Sequence, residues 1–192
     1  MVILGLLLVF LPASMAGATT YDFSAGSLGD LKHGYYYTWG LNWSVPEGET
    51  IVGASLFFDD IRNNDGSSND LYVHLLDNVN LGVDRGYDGY SAGSYSDRFA
   101  GQGILLEHYE DLTDWPPQDI TYSFSDTDLS TLMAYAADGN FGFGIDPDCI
   151  FYQNGVSFSI ETAATPIPAP ILLLGTGLIG MAGFRRKFKG DK

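Results

Sequence analysis

The chain has one cysteine, Cys149, in 192 residues, so neither an intrachain disulfide nor a cysteine-based zinc cluster can form. Cys149 is expected as a small buried or half-buried residue. Bases are scarce as well. Nine Lys and Arg stand against 24 Asp and Glu, and Arg185, Arg186, Lys187, Lys189 and Lys192 all lie after residue 184. Residues 19–165 therefore hold four bases, Lys32, Arg62, Arg85 and Arg98, against 23 acids, a net charge of −19. Binding to nucleic acid depends on neutralising phosphates with Lys and Arg, so this surface argues against a nucleic-acid partner. It suits divalent cations and cationic or neutral partners. Catalytic signatures are also missing. His33, His74 and His108 are far apart, with no H-E-x-x-H and no G-x-S-x-G. The expectation is a non-enzymatic protein with no catalytic residues. Glu107 and Glu110 leave a glycosidase pair open, although acids are too common here for one pair to be informative.

Long apolar runs occur only at the two ends. Met1 to Phe10 is almost wholly apolar, and Ala16-Gly17-Ala18 fits an A-x-A cleavage site before a polar sequence begins at Thr19. Residues 1–18 read as a signal peptide. Residues 167–184 carry no charge and span roughly 27 Å as a helix at about 1.5 Å per residue, against a bilayer core of about 30 Å. Pro166, Pro168 and Pro170 crowd the start of this segment, and Arg185-Arg186-Lys187 closes it. By the positive-inside rule the basic tail, 185–192, stays in the cytoplasm and residues 19–163 form an acidic domain outside it. Gly175-Thr176-Gly177-Leu178-Ile179-Gly180 matches the dinucleotide-binding G-x-G-x-x-G, but the chain after it is too short for the second strand that such a fold needs.

Thr165-Pro166-Ile167-Pro168-Ala169-Pro170, the Leu/Gly-rich helix and Gly183-Phe184-Arg185-Arg186-Lys187 together resemble the PEP-CTERM sorting signal of bacterial exosortase substrates. The resemblance covers residues 164–188. Pro168-Ala169-Pro170 stands where the family usually has Pro-Glu-Pro, which is closer to the variant with Val-Pro-Leu-Pro-Ala at that place. It implies export, membrane retention by the helix and processing near the Pro-motif by an exosortase-type enzyme. The mature protein would then lie at the cell surface or in an exopolysaccharide matrix of the kind found in biofilms.

Between the ends the periodicity is that of strands. They are expected over Tyr35–Trp43, Thr50–Phe58, Asp70–Leu76, Ile104–His108, Asp119–Phe124, Asn140–Ile145 and Gly155–Thr162, with Asx-Gly turns between them and one helix over Asp126–Ala137 capped by Ser125 or Asp126. The fold class is all-β, a jelly-roll-like β-sandwich with one short helix. The segment from Phe57 to Asp70 is dense in oxygen donors. Asp59, Asp60, Asn63, Asp65 and Asp70 are its candidate calcium ligands, alongside the reading of a solvated turn. Residues 81–103 lack periodicity and read either as a loop at a binding edge or as an exposed loop with packed tyrosines. There Tyr87, Tyr90 and Tyr95 offer flat faces to sugar rings, and Asp84, Asp88 and Asp97 offer acceptors. Asp146 and Asp148 alternate at a strand end and are candidates for the same rim, and with Asp77 they are expected to converge with the Asp59 loop. Three readings of function follow: a matrix protein binding carbohydrate and calcium, a purely structural or adhesive surface protein, and a secreted glycan hydrolase.

Overall fold

The computed structural model describes residues 17–64, 66, 69–89 and 96–165. Residues 1–16 of the signal segment, with Ala16, and Asp65, Tyr90, Tyr95, the motif from Pro166 to Pro170, the apolar segment after it and Arg185, Arg186 and Lys187 lie outside the described residues, whereas Ala18 is described and exposed.

The described chain is all-β, with two antiparallel sheets and one short helix. The strands are β1 (Thr19–Gly26), β2 (Tyr35–Asn42), β3 (Glu49–Asn63), β4 (Asp70–Asp77), β5 (Gly82–Tyr87), β6 (Ile104–Glu110), β7 (Gln118–Ser123), β8 (Asn140–Pro147), β9 (Phe151–Tyr152) and β10 (Gly155–Ala164). The first sheet runs β1-β10-β3-β7, with β9 paired to the end of β3, and the second runs β5-β2-β8-β4-β6. The helix α1 (Asp126–Tyr135) starts at Ser125, whose hydroxyl accepts from the Asp128 N–H while the Asp128 carboxylate accepts from the Ser125 N–H. This reciprocal cap satisfies two donors that a helix start otherwise leaves unpaired.

The sheets face each other across an aromatic core. Alternation in β10 turns Val156, Phe158, Ile160 and Thr162 inward, and β8 meets them with Phe141, Phe143 and Ile145. Phe158 is the hub: its ring centre lies 4.8 Å from Phe143, 5.6 Å from Phe124 and 6.1 Å from Phe23. Offset and edge-on ring pairs of this kind each add about 0.5–1.5 kcal/mol beyond burial.

Two elements depart from the periodic reading. β3 continues through Asp59, Asp60 and Asn63, which were expected in a loop, because Ile61 and Asn63 still point inward. A bulge between Phe58 and Ile61 sets Asp59 and Asp60 together opposite β7, with Asp60 at φ 50°. Residues 81–103 are not a single loop, since β5 pairs along β2 from Tyr35↔Tyr87 to Gly40↔Gly82. Its exposed Asp84 and Arg85 hide the pattern, because an edge strand carries charge where a buried strand would carry apolar side chains. β1 and β9 are further strands beyond those expected.

Candidate functional site

β5 and β6 occupy opposite edges of the second sheet. Residues 96–103 lie over its outer face as a strap. Phe99 sits where β8 has no side chain, since a Cβ on Gly144 would lie 2.8 Å from the Phe99 ring. Phe99 joins Leu76 and Val79 in a small second cluster, with Tyr36 edge-on at 5.6 Å. Polar contacts pin the strap down. His74 Nε2 meets Asp97 Oδ2 at 2.9 Å, Asp97 Oδ1 accepts from the Phe99 N–H at 2.9 Å, and Asp146 Oδ2 accepts from the Arg98 N–H at 2.7 Å. His74 itself is 3% exposed beneath the strap.

Beside the strap opens a groove of about 340 Å³ lined by Tyr36, Asp77, Asn80, Asp84, Arg98 and Gln102 among others. The Tyr36 ring reaches over Gly86 on β5, where a Cβ would lie 2.2 Å from it, and the Arg98 guanidinium sits 5.0 Å above the same ring. An aromatic wall, two carboxylates, two amides and a guanidinium can exchange several hydrogen bonds with a polyhydroxylated ligand.

Of the expected rim residues, Tyr87 is 63% exposed and packs edge-on against Tyr35 at 5.2 Å, outside the groove lining. Asp146 and Asp148 are buried, at 1% and 9% exposure, because the strap and the strand end cover them. Burial pushes the Asp146 carboxyl up to about 7, opposed by the Arg98 N–H and reinforced by Asp88, Asp148 and Asp97. Burial and then Asp70 push Asp148 up to about 6, against the pull of His33. Asp77 stands at the other end of β4 from Asp70, roughly 23 Å away at about 3.3 Å per residue, so it does not converge with them.

The candidate calcium ligands separate into two groups. Asp59 and Asp60 meet Asp119 of β7, with donor oxygens within 4.8 Å of one another. Asp60 N donates to Asp119 Oδ1 at 3.1 Å, and Asn154 Nδ2 donates to Asp60 Oδ2 at 2.7 Å. This all-oxygen set is of the type calcium takes. Asn63 turns into the core instead, fully buried. Asp70 gathers with His108 and Glu110 on β6, again with donor atoms within 4.8 Å. Asp119 and His108 are far from Asp59 and Asp70 in sequence, and only strand register joins them.

Tyr36 and Arg98, which line the groove, were not among the expected rim residues, since the aromatic run at 35–37 carries no sign of which tyrosine faces outward. Trp115 was missed too. It is 74% exposed beside a cavity of about 380 Å³ lined by Asn69, Asp111 and Asp114. Its signal was a tryptophan set between Asp114 and Pro116-Pro117, in a segment with no strand or helix pattern.

No protein-family model matches the chain, and no curated protein sequence matches it.

Proposed function

We propose that this is an exported, non-enzymatic protein of the cell surface or exopolysaccharide matrix, which holds carbohydrate in the groove lined by Tyr36, Asp77, Asp84 and Arg98. The observation that carries the reading is the groove itself, where an aromatic ring fixed over Gly86 is surrounded by acceptors and donors of both charge signs. Polar groups of this kind, set around an aromatic side chain, bind sugars through their hydroxyls. The strand orders β1-β10-β3-β7 and β2-β8-β4-β6, with β5 added at an edge, support a jelly-roll architecture.

Export and sorting rest on the ends of the chain: the apolar start with Ala16-Gly17-Ala18, and the Pro-motif, apolar helix and Arg185-Arg186-Lys187 that resemble a PEP-CTERM signal. On this reading the partners are the membrane, an exosortase-type processing enzyme and extracellular polysaccharide. Calcium would belong at the β3 bulge, where Asp59, Asp60 and Asp119 converge. The hydrolase alternative needs two carboxyls facing each other across a cleft. Against it, Asp146 is covered by the strap, and Glu107 lies on the side of β6 that carries Tyr109 while Glu110 lies with Asp70.

Two measurements test the reading. Titration of the full-length protein with the exopolysaccharide of its own cells gives saturable heat, and a flat titration refutes carbohydrate binding. Mass spectrometry of the mature protein from cells finds a start at Thr19 and an end near Pro166–Pro170, and an intact 192-residue chain refutes the sorting assignment.

A further inference from the structure

The end of the second sheet away from the groove carries two rows of polar side chains on its outer face. Tyr72 of β4 pairs with Asp146 of β8 on one side and His108 of β6 on the other. In the next row Asp70 pairs with Glu110, and the Asp148 N–H donates to the Asp70 carbonyl at 2.9 Å. The His108 ring is held flat against Tyr72, with centroids 4.2 Å apart and planes at 12°, and its Nε2 lies 2.6 Å from Asp70 Oδ1. Donor atoms of Asp70, His108 and Glu110 all lie within 4.8 Å of one another.

Asp148 adds a second observation next to Asp70. Its residue is 9% exposed, yet its Oδ2 is buried with no hydrogen-bond partner, and the nearby carboxylate that weighs most on it is Asp70. A buried carboxylate oxygen without a partner costs several kcal/mol unless it is paired or coordinates a metal. Asp148 adjoins Asp70, one member of that group, through its backbone N–H, and His33 is the imidazole that acts on its carboxylate.

We infer that Asp70, His108, Glu110 and Asp148 bind a divalent transition-metal ion of the zinc class. An ion at the centre of the first three lies within roughly 2.8 Å of each, and shifts of under about 1 Å bring them to the 2.0–2.2 Å of zinc–nitrogen and zinc–oxygen bonds. The ion replaces the proton between His108 Nε2 and Asp70 Oδ1 and supplies the partner that Asp148 Oδ2 lacks. The imidazole sets this site apart from the all-oxygen cluster at Asp59, Asp60 and Asp119, since nitrogen donors favour zinc over calcium. The ion would join β4, β6 and the segment after β8, a cross-link in a chain whose single cysteine forms no internal disulfide. This inference does not depend on carbohydrate binding.

The test is a titration of the metal-free full-length protein with Zn²⁺, and separately with Ca²⁺, followed by calorimetry and by the ring signals of His33, His74 and His108. One equivalent of Zn²⁺ saturates the site and shifts the His108 ring, at least tenfold more tightly than Ca²⁺ does. His108→Gln and Asp148→Asn each weaken Zn²⁺ binding at least tenfold, and Asp59→Asn leaves it unchanged. If either of the first two fails to fold, the wild-type ring shift decides alone. No saturable Zn²⁺ binding, a shift confined to His33 or His74, or Ca²⁺ binding as tight as Zn²⁺ overturns the inference.

Discussion

Asp97 Oδ2 lies 2.9 Å from His74 Nε2, and this contact fastens the strap to β4. Asp97 also accepts the Phe99 N–H, so one carboxylate both shapes the strap and attaches it. Asp97→Ala leaves a buried imidazole nitrogen unsatisfied, which costs about 1–3 kcal/mol. The urea midpoint falls by the corresponding amount, and amide exchange at Arg98 and Phe99 accelerates.

Asp146 makes the fold less stable as the solution becomes neutral. Its carboxyl is pushed from an ordinary 3.8 to about 7, so between those values the folded protein keeps a proton that the unfolded chain has released. Stability therefore falls as pH rises from about 4 to about 7, with Asp148, pushed up to about 6, adding to the slope. Asp128 acts in the opposite sense. Burial raises its carboxyl, but hydrogen bonds from Ser125 and Tyr122 outweigh burial and hold it below the ordinary value, so its contribution is lost as pH falls below about 4. In chelator, the melting temperature at pH 5 exceeds that at pH 8. Asp146→Asn keeps an acceptor for the Arg98 N–H and flattens the difference, gaining on the order of 2–4 kcal/mol at pH 8 at about 1.4 kcal/mol per unit.

Gly86 sets the position of Tyr36. A methyl group there would overlap the Tyr36 ring at 2.2 Å, so Gly86→Ala swings the ring out of the groove wall. Carbohydrate affinity drops at least tenfold, while the melt moves by only a few degrees because β5 is an exposed edge strand. Arg98→Ala weakens binding in the same assay, through the loss of both a donor and the cation above Tyr36.

Phe158 carries the core. Phe158→Ala removes the ring that meets Phe143, Phe124 and Phe23, and costs about 3–5 kcal/mol by the usual sum of lost burial and cavity. Chemical denaturation measures it. Ser125→Ala, which removes one half of the α1 cap, costs about 1 kcal/mol in the same experiment.

The core strands were legible wherever one face is buried and the other is wet: β10 alternates cleanly, and so does β4 from Asp70 to Val73, before the strap covers His74 and Leu76. The helix was legible from its cap. β5 was not, because an edge strand with charged side chains has no apolar period to read. In the Asp59 region the donor-rich composition was legible, but the partners were not. Asp59 and Asp60 find Asp119, and Asp70 finds His108, only through pairings between strands remote in sequence. The alternation of Asp146 and Asp148 placed them on one side of the chain, whereas the burial of Asp146 comes from the strap, and nothing in the 81–103 composition indicates which face it lies on. The groove was hidden for a related reason: Tyr35, Tyr36 and Tyr37 look alike in sequence, and strand parity turns Tyr37 into the core and Tyr36 onto the outer face.

Backbone amide mapping of the full-length protein with a soluble fragment of the exopolysaccharide is the most direct test of the carbohydrate-binding claim. The account predicts saturable shifts concentrated at residues 36–38, 76–84 and 98–103 around the groove, abolished by Gly86→Ala. Shifts confined to the loop around Trp115, or none at saturating polysaccharide, would contradict it.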